Sequence, residues 1–141
     1  MTTKREQEQR ARMFRALEMN GITYDDTHAL RRISMTLRRW HELECGTEAG
    51  HIERNEKTGK PLFFNARASY LAANDLRAWR VIPDRETGAL RRLEKIMSKY
   101  PALTAYVQGD PRGAALYILR PGDVPAGEDA GSYYSRGIAV Y

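Results

Sequence analysis

Apolar side chains recur with a helical period in three stretches of the chain. The first stretch predicts a helix over residues 3–19, in which apolar side chains recur three residues apart. Asn20 and Gly21 follow it and predict its end, because both residue types tolerate the left-handed conformation that closes a helix. The first turns carry almost only charged or amide side chains, so we expect a frayed or exposed start over residues 1–10.

The second stretch has the clearest amphipathic pattern and predicts a helix over residues 26–45. Its apolar stripe consists of Leu30, Ile33, Leu37 and Trp40. Asp25, Asp26 and Thr27 are expected to supply oxygens that cap the first turn, where acidic groups also stabilise the positive end of the helix dipole. At about 100° per residue, four basic residues fall on the opposite face: Arg31, Arg32, Arg38 and Arg39.

The third stretch predicts a helix over residues 85–100, with Asp84 as its cap and Pro101 as its stop. Its buried arc is expected to contain Ala89, Leu90, Leu93, Ile96, Met97 and Tyr100. The opposite arc is again basic and contains Arg91, Arg92, Lys95 and Lys99. Two helices are therefore predicted to carry one apolar and one basic face each.

The last third of the chain has the period of β-strands. Residues 103–108 and 114–119 are two short runs that we interpret with a period of two residues. They are joined at residues 109–113 by Gly-Asp-Pro-Arg-Gly, in which proline presets one turn position and glycine permits positive φ. We interpret this segment as a hairpin and expect residues 137–141 to add a third strand beside it.

Four shorter predictions complete the chain. A small hairpin is predicted from residues 52–54 and 62–64, because a polar, glycine-containing loop separates two short apolar runs. Residues 66–73 favour a short helix, residues 80–82 a brief extended piece, and residues 120–131 a loop rich in Pro, Gly and Asp.

These elements together indicate an α+β fold. It consists of N-terminal helices, a small hairpin, a further amphipathic helix and a C-terminal antiparallel sheet of about three strands. A chain of 141 residues with 42% hydrophobic content is the size of one compact domain with a real core. We therefore assign residues 1–141 to a single domain. An apolar seam between two copies is a less favoured use of the second helix, and the oligomeric state stays open.

The charge and cysteine content limit the classes of partner and the cellular compartment. The formal net charge is +5, which favours acidic partners such as nucleic acid or an acidic protein surface. The one cysteine, Cys45, rules out an intramolecular disulfide and gives no sign of an oxidising compartment. Charges interrupt every apolar segment, so we expect neither a secretory signal nor a membrane span, and a cytoplasmic protein.

No catalytic or cofactor-binding motif emerges from the sequence. His41, Cys45 and His51 could supply three of the four ligands of a zinc site. A fourth ligand is missing, because His28 would lie about 20 Å or more from His41 and Cys45 along the helix. His41 and Cys45 also lack an orienting third group for nucleophilic catalysis. The chain has no nucleotide-binding glycine pattern. We expect no metal, no cofactor and no enzymatic activity.

The basic helix faces are the best functional lead. If the two helices pack side by side, their cations form one patch that can contact phosphates or an acidic protein surface; if they pack back to back, no patch exists. The candidate binding residues are Arg31, Arg38, Arg39, Arg91, Lys95 and, at the hairpin tip, Arg112.

Tyrosines are concentrated in the C-terminal third of the chain, at positions 106, 117, 133, 134 and 141. Tyrosines on a sheet face can stack on bases, but nothing here matches an RNA-binding sheet motif. We favour packing of these rings against the helices.

Three segments resemble small proteins encoded by bacterial phages and prophages. They are ALRRISMTLRRWHE (29–42), IPDRETGALRRL (82–93) and the stretch from GDPRGAALY (109–117) through YSRGIAV (134–140). The resemblance implies the cytoplasm of an infected bacterium as the setting and carries over no catalytic or binding residue.

Small phage accessory proteins often act by occupying a host surface. We therefore expect a host-directed interaction protein that binds a host protein or ribonucleoprotein complex, most plausibly as a stoichiometric inhibitor of a bacterial defence system such as CRISPR–Cas. The alternative is a nucleic-acid-binding accessory protein of phage replication or regulation.

Overall fold

A computed structural model describes residues 3–40, 49–54, 57, 61–65, 84–108 and 114–141. Within these residues the helices are α1 (Lys4–Met19), α2 (Tyr24–Trp40) and α3 (Asp84–Met97). The strands are β1 (Ala49–Arg54), β2 (Pro61–Asn65), β3 (Thr104–Gln108), β4 (Leu116–Leu119) and β5 (Ile138–Val140). Two short 3-10 helices, Ala130–Ser132 and Tyr134–Arg136, precede β5. The predicted α+β class is confirmed.

The strands described form one sheet in the order β2-β1-β3-β4-β5, and all neighbours are antiparallel. Both predicted hairpins are present, and β5 lies beside β4 as expected. The small hairpin is joined to the C-terminal strands through β1, whose Ala49 is the register partner of Gln108 on β3. The predicted helix at 66–73, the extended piece at 80–82 and the loop at 109–113 lie outside the described residues.

The three helices cover one face of this sheet. α1 packs on β5 and α2, α2 packs on β4, β5 and α3, and α3 also contacts β2. The core between the layers contains the fully buried Leu17, Leu30, Ile33, Leu37, Leu93, Met97, Leu116, Ile118 and Val140. The apolar stripes predicted on the second and third helices therefore face the core, apart from Trp40, whose side chain is outside the described part.

The tyrosines of β3 and β4 pack on the other face of the sheet. Tyr106 lies between Ala105 and Val107 of the helix-side core, so strand alternation directs its ring away from the helices. Its ring stacks on Tyr134 at 5.1 Å between centroids, and Tyr117 meets the same ring edge-on at 5.0 Å. The expectation that these two tyrosines pack against the helices is wrong, because the segment before β5 folds back to cover them.

Hydrogen bonds from backbone N–H groups define both ends of the α1–α2 connection. Gly21 has φ +86° and donates to Glu18 O, while Ile22 N–H donates to Leu17 O. This is the Schellman arrangement that closes a helix, and it confirms the predicted stop. α2 then begins two residues earlier than predicted, and the cap comes from Thr23, whose Oγ1 accepts from Asp26 N–H at 3.2 Å, rather than from residues 25–27.

Ring contacts and one buried hydrogen bond hold α1 and β5 against α2. The rings of Phe14, Tyr24 and His28 lie within 5.5 Å of one another, centroid to centroid. Ser34 Oγ on α2 donates to Val140 O of β5 at 2.9 Å in the interior. The α1 side of α2 is thus occupied by packing, which leaves its other flank for α3.

Gly137, the residue before β5, lies directly against Ile118 and Leu119 of β4. A Cβ at this position would lie 2.9 Å from Ile118 O and 2.6 Å from Leu119 Cδ2. We expect Gly137→Ala to lower the free energy of unfolding by about 1–3 kcal/mol, because the strand must move to relieve the overlap. Urea denaturation followed by circular dichroism measures the change.

Gly88→Ala is the matched control for this substitution. Gly88 lies inside α3, and among the described residues an added Cβ would meet only Arg92 Nη1 at 3.8 Å, an ordinary contact. Replacing a glycine inside a helix by alanine should raise the free energy of unfolding by about 0.5–1 kcal/mol. Equal effects of the two substitutions would contradict the steric explanation for Gly137.

Candidate anion-binding groove

A groove of about 550 Å³ runs between α2 and α3. We call it the basic groove. Its described lining consists of Asp26, Ala29, Arg32 and Ile33 from α2 and of Arg92, Lys95, Ile96 and Lys99 from α3 and the turn after it. The helices are antiparallel here, because Asp26 at the start of α2 contacts Lys99 beyond the end of α3. A groove of this size is in the range of ordinary ligand sites.

Cations line both sides of the basic groove. Arg92, Lys95 and Lys99 are spaced at i, i+3 and i+7, so they form one stripe along α3 and its continuation. Arg32 faces them from α2, and all four side chains belong to exposed residues. Between the two sides, Ala29, Ile33 and Ile96 supply apolar lining. The groove therefore combines positive rims with an apolar floor.

Asp26 is the one acidic residue in the described lining, and its carboxylate is already bonded. Lys99 Nζ lies 3.2 and 3.3 Å from its two oxygens, and Tyr100 Oη donates to Oδ2 at 2.5 Å. Tyr100 Oη also accepts from Thr23 N–H at 3.2 Å. This network fastens the start of α2 to the end of α3 and closes one end of the groove.

The network lowers the pKa of the Asp26 carboxyl below its ordinary value of 3.8. Burial acts in the opposite direction and would raise the pKa, but hydrogen bonds from Tyr100 and Lys99, with the positive charge of Lys99, outweigh it. Asp26 therefore stays ionised at neutral pH. It holds Lys99 in place, and it is not a free acid or base.

The arginines predicted on the face of α2 do not all share one surface. Arg31 turns toward α1: its Nε donates to Tyr141 O at 2.9 Å, and its guanidinium carbon lies 5.8 Å from the centroid of the Phe14 ring. Burial, with the nearby positive charge of Arg10, lowers the pKa of Arg31. Arg38 is two helical turns further along the same side and is half-buried. Neither residue lines the basic groove.

The other predicted binding residues differ in where they lie relative to the basic groove. Lys95 lines the basic groove. Arg91 is exposed on α3 but is not in the groove lining, although its neighbour Arg92 is. The side chain of Arg39 and all of Arg112 lie outside the described residues. The helices thus pack side by side, which is the arrangement that permits a basic patch. Of the predicted binding residues, however, only Lys95 is in the described lining of the groove, and the other cations there are Arg32, Arg92 and Lys99.

Arg32, Arg92 and Lys99 belong to the basic faces predicted from the sequence, yet they are not among the predicted site residues. The spacing of residues 92, 95 and 99 could have indicated a shared binding surface, because these positions follow one edge of the apolar stripe of α3. An amphipathic helix has two such edges, however, and only the position of the neighbouring helix decides which edge borders a groove.

The described residues contain no cluster of three His, Cys, Asp or Glu side chains that could hold a metal ion. Of the partial zinc set considered from sequence, His41 and Cys45 lie outside the described residues. His51 is placed only by its backbone, as the register partner of Tyr106. None of the helices in the described part of the chain has the length and apolar character needed to cross a bilayer.

Comparison with known proteins adds no relative: no family model matches the sequence, and neither a curated protein nor a solved structure is significantly similar to it.

The Asp26 network predicts a specific dependence of stability on pH. Because the folded pKa of Asp26 lies below its unfolded value, its contribution to stability is complete above that value and is lost as pH falls through the folded pKa. Asp26→Asn should lower the free energy of unfolding by about 1–3 kcal/mol at pH 7. The difference from the wild type should shrink below about pH 4. Urea denaturation at a series of pH values measures both effects.

Asp25→Asn is the matched control, because Asp25 is an exposed carboxylate in the same helical turn. It should change the free energy of unfolding by less than about 1 kcal/mol, through the helix dipole alone. A constant difference between Asp26→Asn and the wild type from pH 7 to pH 2 would contradict the assigned role of the Asp26 charge.

Proposed function

We propose that this chain is a host-directed interaction protein that binds an anionic surface of a bacterial protein or ribonucleoprotein complex through the basic groove. Its use is stoichiometric inhibition of a bacterial defence system such as CRISPR–Cas, in the cytoplasm of an infected cell. The resemblance of three segments to phage and prophage proteins supplies the setting, and the groove supplies the mode of binding.

The convergence of cations from two helices on one groove is the observation that carries this proposal. Four basic residues line it against one carboxylate, and that carboxylate is already bonded to Lys99 and Tyr100. The groove thus has an excess of positive charge available to a partner. Complementary charge speeds association and fixes the orientation of a complex.

Binding suits this groove better than catalysis does. Proton transfer needs a group that can gain or lose a proton near neutral pH, and Asp26 is held in its ionised form. The other polar residues described in the lining are arginines and lysines. We therefore assign the groove a role in occlusion of a host surface and no chemical step.

A plaque assay tests the proposal in cells that carry an active CRISPR–Cas system directed against the infecting phage. Expression of the wild-type chain should raise the number of plaques. Arg32→Glu combined with Arg92→Glu should reduce that rescue by at least about tenfold, because like charges then face an acidic partner.

The matched control combines Arg5→Glu with Arg91→Glu. Both arginines are exposed, lie outside the groove lining and give the same change in net charge. This variant should rescue plaques as the wild type does. Full rescue by the groove variant, or equal loss in both variants, would count against the groove as the binding site.

Nucleic-acid binding is the competing function and is tested separately. If the four cations of the basic groove neutralise phosphates, the affinity for single-stranded or duplex DNA falls steeply as salt is raised, with a log-log slope that grows with the number of phosphates contacted. Tight, salt-sensitive binding that the groove variant abolishes would favour this function over inhibition of a host complex.

A further inference from the structure

The floor of the basic groove restricts what an anionic partner must present. Ala29, which is half-buried, and the edge of Ile96, which is 7% exposed, form a narrow apolar strip between the cations of the two helices, above the buried Ile33. A ligand with only charged groups would cover this strip without placing an apolar group against it. A ligand with an apolar group between two acidic groups would satisfy both the floor and the rims.

The length of the groove sets the size of the matching segment. Its lining runs from residue 26 to 33 on α2 and from 92 to 99 on α3 and the turn after it. Seven steps along a helix cover about 10 Å, which is also the length of about three extended residues. In an extended segment whose central side chain points to the floor, its two neighbours point away from the floor, to the level of the exposed cationic side chains on the rims.

We propose that the basic groove binds a short acidic peptide segment of a partner protein, in which one apolar side chain lies between two carboxylates. The apolar side chain rests on Ala29 and on the edge of Ile96. One carboxylate lies near the guanidinium groups of Arg32 and Arg92, which suit planar, bidentate contacts. The other lies near Lys95, toward the end where Lys99 is held by Asp26.

This inference rests on the proposed function, since it names the chemistry of the partner at the same groove. Nucleic acid fits the groove less well, because it needs stacking partners for its bases as well as cations for its phosphates. None of the described lining residues is aromatic, so the groove offers no ring on which a base can stack.

Titration of the full-length chain, followed by amide chemical shifts in NMR spectra, tests the inference with three probes of equal charge. The first is the capped pentapeptide Asp-Glu-Leu-Glu-Asp, and the second replaces its leucine by serine. The third is an oligothymidylate of five nucleotides without a terminal phosphate. NMR detects weak complexes and also shows where each probe binds.

The leucine peptide should shift the amides of Ala29, Ile33 and Ile96. The serine peptide and the oligothymidylate should bind at least about tenfold more weakly, since burial of a leucine side chain is worth that factor or more. Arg92→Glu should weaken the leucine peptide by at least about tenfold, and Arg91→Glu, its exposed neighbour outside the groove, should not.

Other outcomes overturn the inference. Equal affinity of the two peptides would show that the apolar floor contributes nothing, and tighter binding of the oligothymidylate would assign the groove to nucleic acid. Shifts confined to other surfaces, or no binding of the leucine peptide, would remove the groove as a peptide site. The plaque assay is scored independently: loss of rescue in the groove variant without peptide binding would leave the proposed function standing and reject this partner chemistry.

Discussion

The burial of two apolar helix stripes on one face of a single antiparallel sheet is the constraint on which the rest of the structure depends. Leu30, Ile33 and Leu37 of α2 and Leu93 and Met97 of α3 can leave water together only if both helices lie on the same face. The helices then become neighbours, and their polar flanks border a common groove. The basic groove is thus a consequence of core packing.

Positive charges brought together in this way repel one another, and Asp26 offsets part of that repulsion. Its carboxylate is buried, which alone would disfavour the charged form, but Lys99 and Tyr100 provide the hydrogen bonds that stabilise it. The same contacts tie the start of α2 to the end of α3. One network therefore fixes the position of the helices and leaves the other cations of the groove available to a partner.

β3 is buried on both of its faces, unlike a strand that has one face in solvent. Three successive residues, Ala105, Tyr106 and Val107, are buried, because the helices cover one face and Tyr134 covers Tyr106 on the other. Burial raises the pKa of the Tyr106 hydroxyl, as expected for a phenol removed from water. Tyr106, Tyr117 and Tyr134 thus act first as packing groups, which leaves the helical side as the better candidate for binding.

The sequence by itself determined the local elements of this protein and the two faces of its main helices. The spacing of apolar residues in α2 and α3 reports directly which side of a helix is buried, and Gly21 marked the end of α1 because a residue with positive φ is needed there. Only the tertiary structure decided that the small hairpin joins the C-terminal strands through β1 and β3. It also decided that a segment distant in sequence covers Tyr106. Finally, it decided that Arg32 and Arg92 border the groove while Arg31 turns toward α1. Periodicity within one element specifies a face relative to that element's own axis. Which neighbour covers an edge depends on contacts between residues far apart in the chain, such as Asp26 with Lys99, and such pairings leave no periodic signal.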